Sequence, residues 1–181
     1  MEQDLIQEAR KGDPKSLERL YKHFYGYAMS VALRYSGNRD EACEIVNDSF
    51  LKMFDKLDQY KGGSSFKGWL RRILINTSVD YYRKNLRFSG MVDIEQIDVE
   101  AYHVSVIDDL STEDILRLLG ELPDNLRIIF NMFEIEGYKH DEIAAHLNIP
   151  SSTCRTYLAR AKGMLREKVI ALNHVKNEGA V

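Results

Sequence analysis

Apolar and polar positions along this chain recur with the period of helices. The run that begins at Asn38 shows the pattern best. Ala42, Val46, Phe50, Met53, Leu57 and Tyr60 return at intervals of three and four, which makes one buried stripe. Glu44, Asn47, Asp48, Lys52 and Asp55 fall largely away from it. Asn38, with Glu41 three residues on, has the form of a capping box and marks the helix start. The same reasoning predicts a helix over about residues 4–11, closed by Gly12, and a second from Pro14, a good first-turn proline, to near Ser36. A fourth follows the break Lys61-Gly62-Gly63-Ser64-Ser65 and runs to about Arg87.

Residues 89–112 hold neither the helical nor the strand period for long and read as a linker. Helices are predicted again over 112–120, 124–136, 140–147 and 151–172, with a frayed tail from Asn173. The expected fold is all-α, with two small helical domains. An N-terminal bundle over 1–88 is joined by an acidic linker, 89–112, to a C-terminal helix-turn-helix domain over 113–181.

Composition supports this picture. The chain has 181 residues, 44% hydrophobic and 29% charged, with three prolines, so it has the material for a packed core and few helix breakers. A net charge of −3 hides a strong segregation. Residues 1–88 carry 16 Lys/Arg against 12 Asp/Glu, while 89–112 carry six acids and no base. Residues 151–176 hold six bases against one acid. Cys43 and Cys154 lie far apart and outside any Cys/His spacing, so no disulfide framework, metal site or cofactor is expected, and a reducing cytoplasm is. MEQDLIQEARKGD is too polar for a signal peptide. No apolar run reaches the roughly 18 residues that would span a membrane, so direct membrane insertion is not expected.

The stretch HLNIPSSTCRTYLARAK, residues 146–162, carries the first candidate site. Ile143, Ala144 and Leu147 share one face of a short helix, and Ile149 can plug the gap to the next. Pro150 stops the first helix and Ser151 can cap the second. In the second, Cys154, Leu158, Ala161 and Leu165 recur at four, three and four and must face the core. Ser152, Thr153, Arg155, Thr156, Ala159 and Arg160 are left outward. Short polar groups and long cations suit a DNA major groove, offering donors for base edges and charge for phosphates. A basic amphipathic helix could instead simply be solvated; the short first helix and tight turn favour DNA. Cys154 reads as a small core residue.

SSFKGWLRRILINTSVDYYRKNLR carries the second. Leu70, Ile73, Leu74, Thr77 and Tyr81 have core spacing. At about 100° per residue, Arg72, Asn76, Asp80, Arg83 and Arg87 fall within one narrow polar strip, flanked by Lys84 and, on the other side, Arg71. Phe66 and Trp69 stand at its start, beside the Gly-Gly loop. Aromatics beside a cationic strip suit a strand whose bases have left the stack. Asn76 is the strip residue best able to read a base edge bidentately. The plainer reading places Phe66 and Trp69 in the core and Arg83-Lys84 on a solvated helix end.

In this order and at this separation, these segments resemble bacterial sigma-70 family RNA polymerase sigma factors of the small extracytoplasmic-function (ECF) class. EARKGDPKSLERLYKHFYGYAMSVALRYSGNRDEACEIVNDSFLKMF resembles the family's first conserved block, and FKGWLRRILINTSVDYYRK its promoter-melting helix. ELPDNLRIIFNMFEIEGYKHDEIAAHLNIPSSTCRTYLARAKGMLREKV resembles its C-terminal helix-turn-helix block. The resemblance implies a subunit that binds core RNA polymerase, at the β′ clamp and the β flap, and both duplex and single-stranded promoter DNA.

Glu44, Asn47 and Asp48 stand where the family usually has an acid, Gln and an acid that meet the clamp helices. The region from about Gln59 to Arg87 would melt and hold the non-template strand of the −10 element through Phe66, Trp69, Arg72, Asn76, Arg83 and Lys84. Asn76 matches the position that contacts the captured base. The residues left outward after Pro150 would read the −35 element as duplex. Lys139 replaces a customary serine cap, and Cys154 a customary Val. The acidic linker would pass the cationic cleft and RNA exit path of the polymerase. An anti-sigma factor is the implied regulator.

No nucleophile–base pair or catalytic carboxylate pair is convincing, and Gly62-Gly63 lacks the Lys-Ser/Thr of a P-loop, so no enzyme activity is expected. Two other readings remain open. One is a stand-alone helix-turn-helix regulator; the other is an adaptor that binds only proteins through its N-terminal bundle.

Overall fold

The computed structural model describes residues 2–62, 65–89 and 111–178. Among these residues every regular element is helical. The chain divides into two compact units, Met1–Tyr81 and Tyr82–Val181. Residues 90–110 of the acidic linker lie outside the described residues, as do Gly63 and Ser64 of the loop.

The first unit is built on α1 (Glu2–Arg10), α2 (Pro14–Tyr35), α3 (Arg39–Asp55) and most of α4 (Phe66–Ser89). Gly12, at φ +77°, takes the left-handed turn after α1. The Asp13 carboxylate then accepts from the Ser16 amide and hydroxyl, both at 2.9 Å, and Pro14 opens α2. α2 packs on α1 and α3. It buries Leu20, Phe24, Ala28, Val31 and Ala32 where α1 supplies Ile6 and Ala9 and α3 supplies Ala42, Ile45, Val46, Phe50 and Met53. Each large side chain so buried contributes about 1.5–3 kcal/mol.

Asn38 caps α3 as its sequence suggests, accepting from the Glu41 amide at 2.9 Å. The Glu41 carboxylate returns to the Gly37 amide at 2.8 Å. The apolar stripe outlasts the helix. α3 stops at Asp55, and a 3-10 turn over Leu57–Gln59 folds Leu57 back into the core.

The second unit holds α5 (Thr112–Gly120), α6 (Asp124–Phe130), α7 (His140–Leu147) and α8 (Ser151–Glu178). Ser111 and Asp114 form a reciprocal capping box on α5. Leu119, Leu122, Leu126 and Ala161 make the core, covered by Phe130, Tyr157, Met164 and Leu165. The helix predicted over 124–136 widens into a π turn at Asn131–Ile135. Buried Asn131 starts it, its side-chain amide donating to the Arg127 carbonyl at 2.9 Å. Arg127 is buried as well, donating to the Gly120 and Leu122 carbonyls at 3.2 Å and to the Asp124 carboxylate. It binds the α5–α6 turn. α8 runs on past Asn173 to Glu178, correcting the expected frayed tail; after Gly163, which the helix absorbs, no Gly or Pro occurs before Gly179.

Candidate nucleic-acid interfaces

α7 and α8 form the helix-turn-helix of the second unit and pack on each other. α7 opens with the Glu142 carboxylate accepting from the Lys139 amide at 2.7 Å, which supplies a cap bond the Lys139 side chain cannot. It closes at Asn148, which adopts the left-handed conformation (φ 56°, ψ 46°) two residues ahead of Pro150. Ser151 works differently from a simple cap. Its hydroxyl donates to the Asp141 carboxylate at 2.7 Å, tying the start of α8 to the first turn of α7.

Of the six α8 residues expected to face outward, Ser152, Arg155, Thr156 and Ala159 are exposed and Thr153 is half-buried. Arg160 is corrected to buried, at 8% exposure. α8 packs against α5, α6 and α7, so it buries a face broader than the single stripe Cys154, Leu158, Ala161, Leu165. Cys154 is fully buried, with Sγ 3.5 Å from His140 Nδ1, and burial foremost pushes its thiol up from the ordinary range.

On α4, Arg72, Asn76, Asp80, Arg83 and Lys84 are all exposed, while Arg71 is half-buried. The side chain of Arg87 lies outside the described residues. Phe66 does not join this surface. It is 2% exposed and packs against the rings of Phe24, Tyr60 and Trp69 at 4.8, 5.2 and 5.5 Å. Its placement among strand-binding groups is therefore corrected to core. Trp69 stays half-buried, 5.4 Å from Tyr60, at the edge of that cluster. Arg10 of α1 braces the same corner, its Nε donating to the Leu57 carbonyl at 3.2 Å and its guanidinium lying 5.7 Å from the Tyr60 ring centroid.

Glu44, Asn47 and Asp48 are exposed together on α3, with the Tyr21 hydroxyl donating to Asn47 Oδ1 at 3.3 Å. Sequence reasoning missed their neighbour Leu51, which is 63% exposed. The signal was present: Leu51 sits at helical spacing from Glu44, Asn47 and Asp48, off the core stripe. Among the described residues no His, Cys, Asp and Glu grouping could hold a metal, and no helix is long and apolar enough to cross a membrane.

A helix-turn-helix with an outward polar face in the second unit, and an exposed cationic strip along α4, are the features expected of a DNA-reading protein. Comparison with known proteins narrows the class. Residues 20–88 match Sigma-70 region 2 and residues 107–165 match Sigma-70, region 4. The ECF RNA polymerase sigma-E factor of Salmonella typhimurium is 28% identical over 180 residues, covering 93% of this chain and 94% of that protein. The sigma-E factor of Escherichia coli K12 gives the same identity and coverage. The sigma factor RpoE of Bartonella quintana, solved with the anti-sigma factor NepR, is similar in structure. Its TM-score is 0.50 at 26% identity, over 84% of this chain and 96% of that one. The chain belongs to the sigma-70 family of RNA polymerase sigma factors, in the ECF class. The family consists of non-enzymatic transcription initiation factors.

Proposed function

We propose that this chain is a dissociable promoter-specificity subunit that works in the cytoplasm and leaves all chemistry to core RNA polymerase. Residues 1–88 form the core-binding and −10-binding module, 113–181 the −35-binding module, and 89–112 the acidic strap between them. The observation that carries this reading is the pair of exposed polar faces. One is Ser152, Arg155, Thr156 and Ala159 on α8; the other is Arg72, Asn76, Arg83 and Lys84 on α4.

In this reading α8 enters the major groove of the −35 duplex, with Ser152 and Thr156 facing base edges and Arg155 a phosphate. The α4 strip then holds the opened non-template strand. Asn76 contacts an extruded base, and stacking on Trp69 contributes about 1–3 kcal/mol. Captured bases compensate for the stacking lost on melting, so no ATP is needed. Glu44, Asn47, Asp48 and Leu51 face the β′ clamp. The strap, with six acids and no base, follows the cationic exit path of the polymerase. An anti-sigma protein is the expected regulator, as the similar B. quintana factor was solved with one.

The test is promoter-dependent transcription by purified core polymerase with and without this chain, paired with start-site mapping. Arg155→Ala should weaken −35 duplex binding and lower the salt slope by about 1. Asn76→Ala should spare core binding and impair strand opening. If core polymerase initiates no better with the chain than without it, the reading fails.

A further inference from the structure

Within the α4 strip stands a carboxylate, Asp80, where a strand-binding surface should avoid one. It follows Asn76 by one helical turn and precedes Arg83 by less than one. At 1.5 Å per residue, that places it about 6 Å along the axis from Asn76 and about 4.5 Å from Arg83. Both distances lie inside the Debye length at physiological salt. A phosphate seated on the arginines would therefore be repelled by Asp80.

The structure supplies a compensating charge from another helix. Lys52 of α3 reaches across to α4 and places Nζ 3.2 Å from Asp80 Oδ2 and 3.3 Å from the buried Thr77 hydroxyl. The Lys52 and Asp80 side chains are 42% and 53% exposed. An ion pair this open adds little to folding stability. Its effect on the field of the strip is larger. With Lys52 in place the carboxylate is countered by an ammonium 3.2 Å away, so the strip no longer carries an uncompensated negative charge at Asp80.

We propose that Lys52 is a positioning residue for the opened strand, acting through Asp80. The proposal rests on the reading of the α4 strip as the single-strand site and adds to it a residue on α3. It makes a specific claim: the harm done by losing Lys52 comes from the uncovered carboxylate, so removing that carboxylate reverses it.

The experiment uses the full chain assembled with core polymerase. Affinity is measured for a fork-junction promoter probe whose −10 segment is single-stranded on the non-template side. Permanganate footprints report opening on a duplex promoter, and thermal unfolding and core affinity are followed for each variant. Lys52→Ala should weaken probe binding about five-fold, with a steeper loss at low salt. Lys52→Ala/Asp80→Asn should restore it to within about two-fold. Arg72→Ala serves as the control for the site itself.

If Lys52→Ala loses strand affinity and the double variant does not recover it, Lys52 only holds α3 to α4 and the proposal is overturned; a lowered Tm or lost core affinity would mark that case. If Arg72→Ala weakens the probe while Lys52→Ala does not, the charge compensation is overturned alone. If neither changes it, the strip is not the strand site and both readings fall together.

Discussion

The hydroxyl of Ser151 donates to the carboxylate of Asp141 at 2.7 Å, joining the first residue of α8 to the first turn of α7. The bond ties α7 to the turn of α8 that carries the exposed Ser152, Arg155 and Thr156. Asp141→Ala leaves the apolar contacts of Ile143, Ala144, Cys154 and Leu158 in place, so the unit should stay folded. The expected stability loss is about 0.5–1.5 kcal/mol, the net value of one hydrogen bond. Duplex −35 binding should fall about three- to ten-fold. Thermal unfolding and a duplex binding titration measure the two separately.

Leu51 exposes 63% of its surface beside Glu44, Asn47 and Asp48. An apolar side chain ringed by polar groups is the arrangement of an interface anchor. Leu51→Ala should lower core polymerase affinity about ten-fold. Because the residue contributes little to the folded unit, its Tm should hardly change. A competition assay against unmodified chain for purified core reads the first, and calorimetry the second.

The fate of individual residues shows what local sequence holds and what it does not. The stripe Ala42, Val46, Phe50, Met53 was legible because every member lies on one helix and obeys one period. The turn at 148–150 was legible in place, though Asn148 closes α7 by its left-handed backbone before Pro150 acts. Phe66 was misplaced because its burial depends on Phe24, 42 residues earlier, and no local period encodes that meeting. Arg160 was misplaced because the width of a buried face depends on how many helices surround it, and α8 has three. The Lys52–Asp80 pair spans 28 residues and two helices, so spacing rules for one helix could not reveal it. Leu51 is the opposite case: its signal was local and went unread.

Arg10 ends α1, outside the region 2 match that begins at residue 20, yet it braces the corner from which α4 departs. Its Nε–H bond to the Leu57 carbonyl holds the 3-10 turn, and its guanidinium lies against Tyr60, which contacts Trp69. Arg10→Ala should cost about 1–2 kcal/mol, combining a charge-assisted bond with a half-exposed cation–π contact. Trp69 is the only tryptophan, so its emission reports on this corner without interference. The emission should shift in Arg10→Ala. In Arg10→Lys the shift should be smaller, because the cation over the ring remains and only the directed bond is lost. Unchanged emission in both variants would show that Tyr60 and Trp69 are held without Arg10.

Cys154 allows a test with a defined sign in pH. Burial raises its thiol above the ordinary value of 9.0, so the folded unit holds this proton more tightly than the unfolded chain does. The associated stability is fully present below pH 9 and is lost as pH rises through the folded value. Unfolding of the second unit should therefore become easier from about pH 9 upward. Cys154→Ala removes the group that loses its proton and should flatten that part of the stability profile, at a small cost in packing. In the native chain a thiol reagent at pH 8 should modify the half-buried Cys43 first. Cys154 should react only as the helix-turn-helix opens, at a rate that follows denaturant concentration. Equal reactivity of the two thiols under native conditions would contradict the packing of α8 against α7.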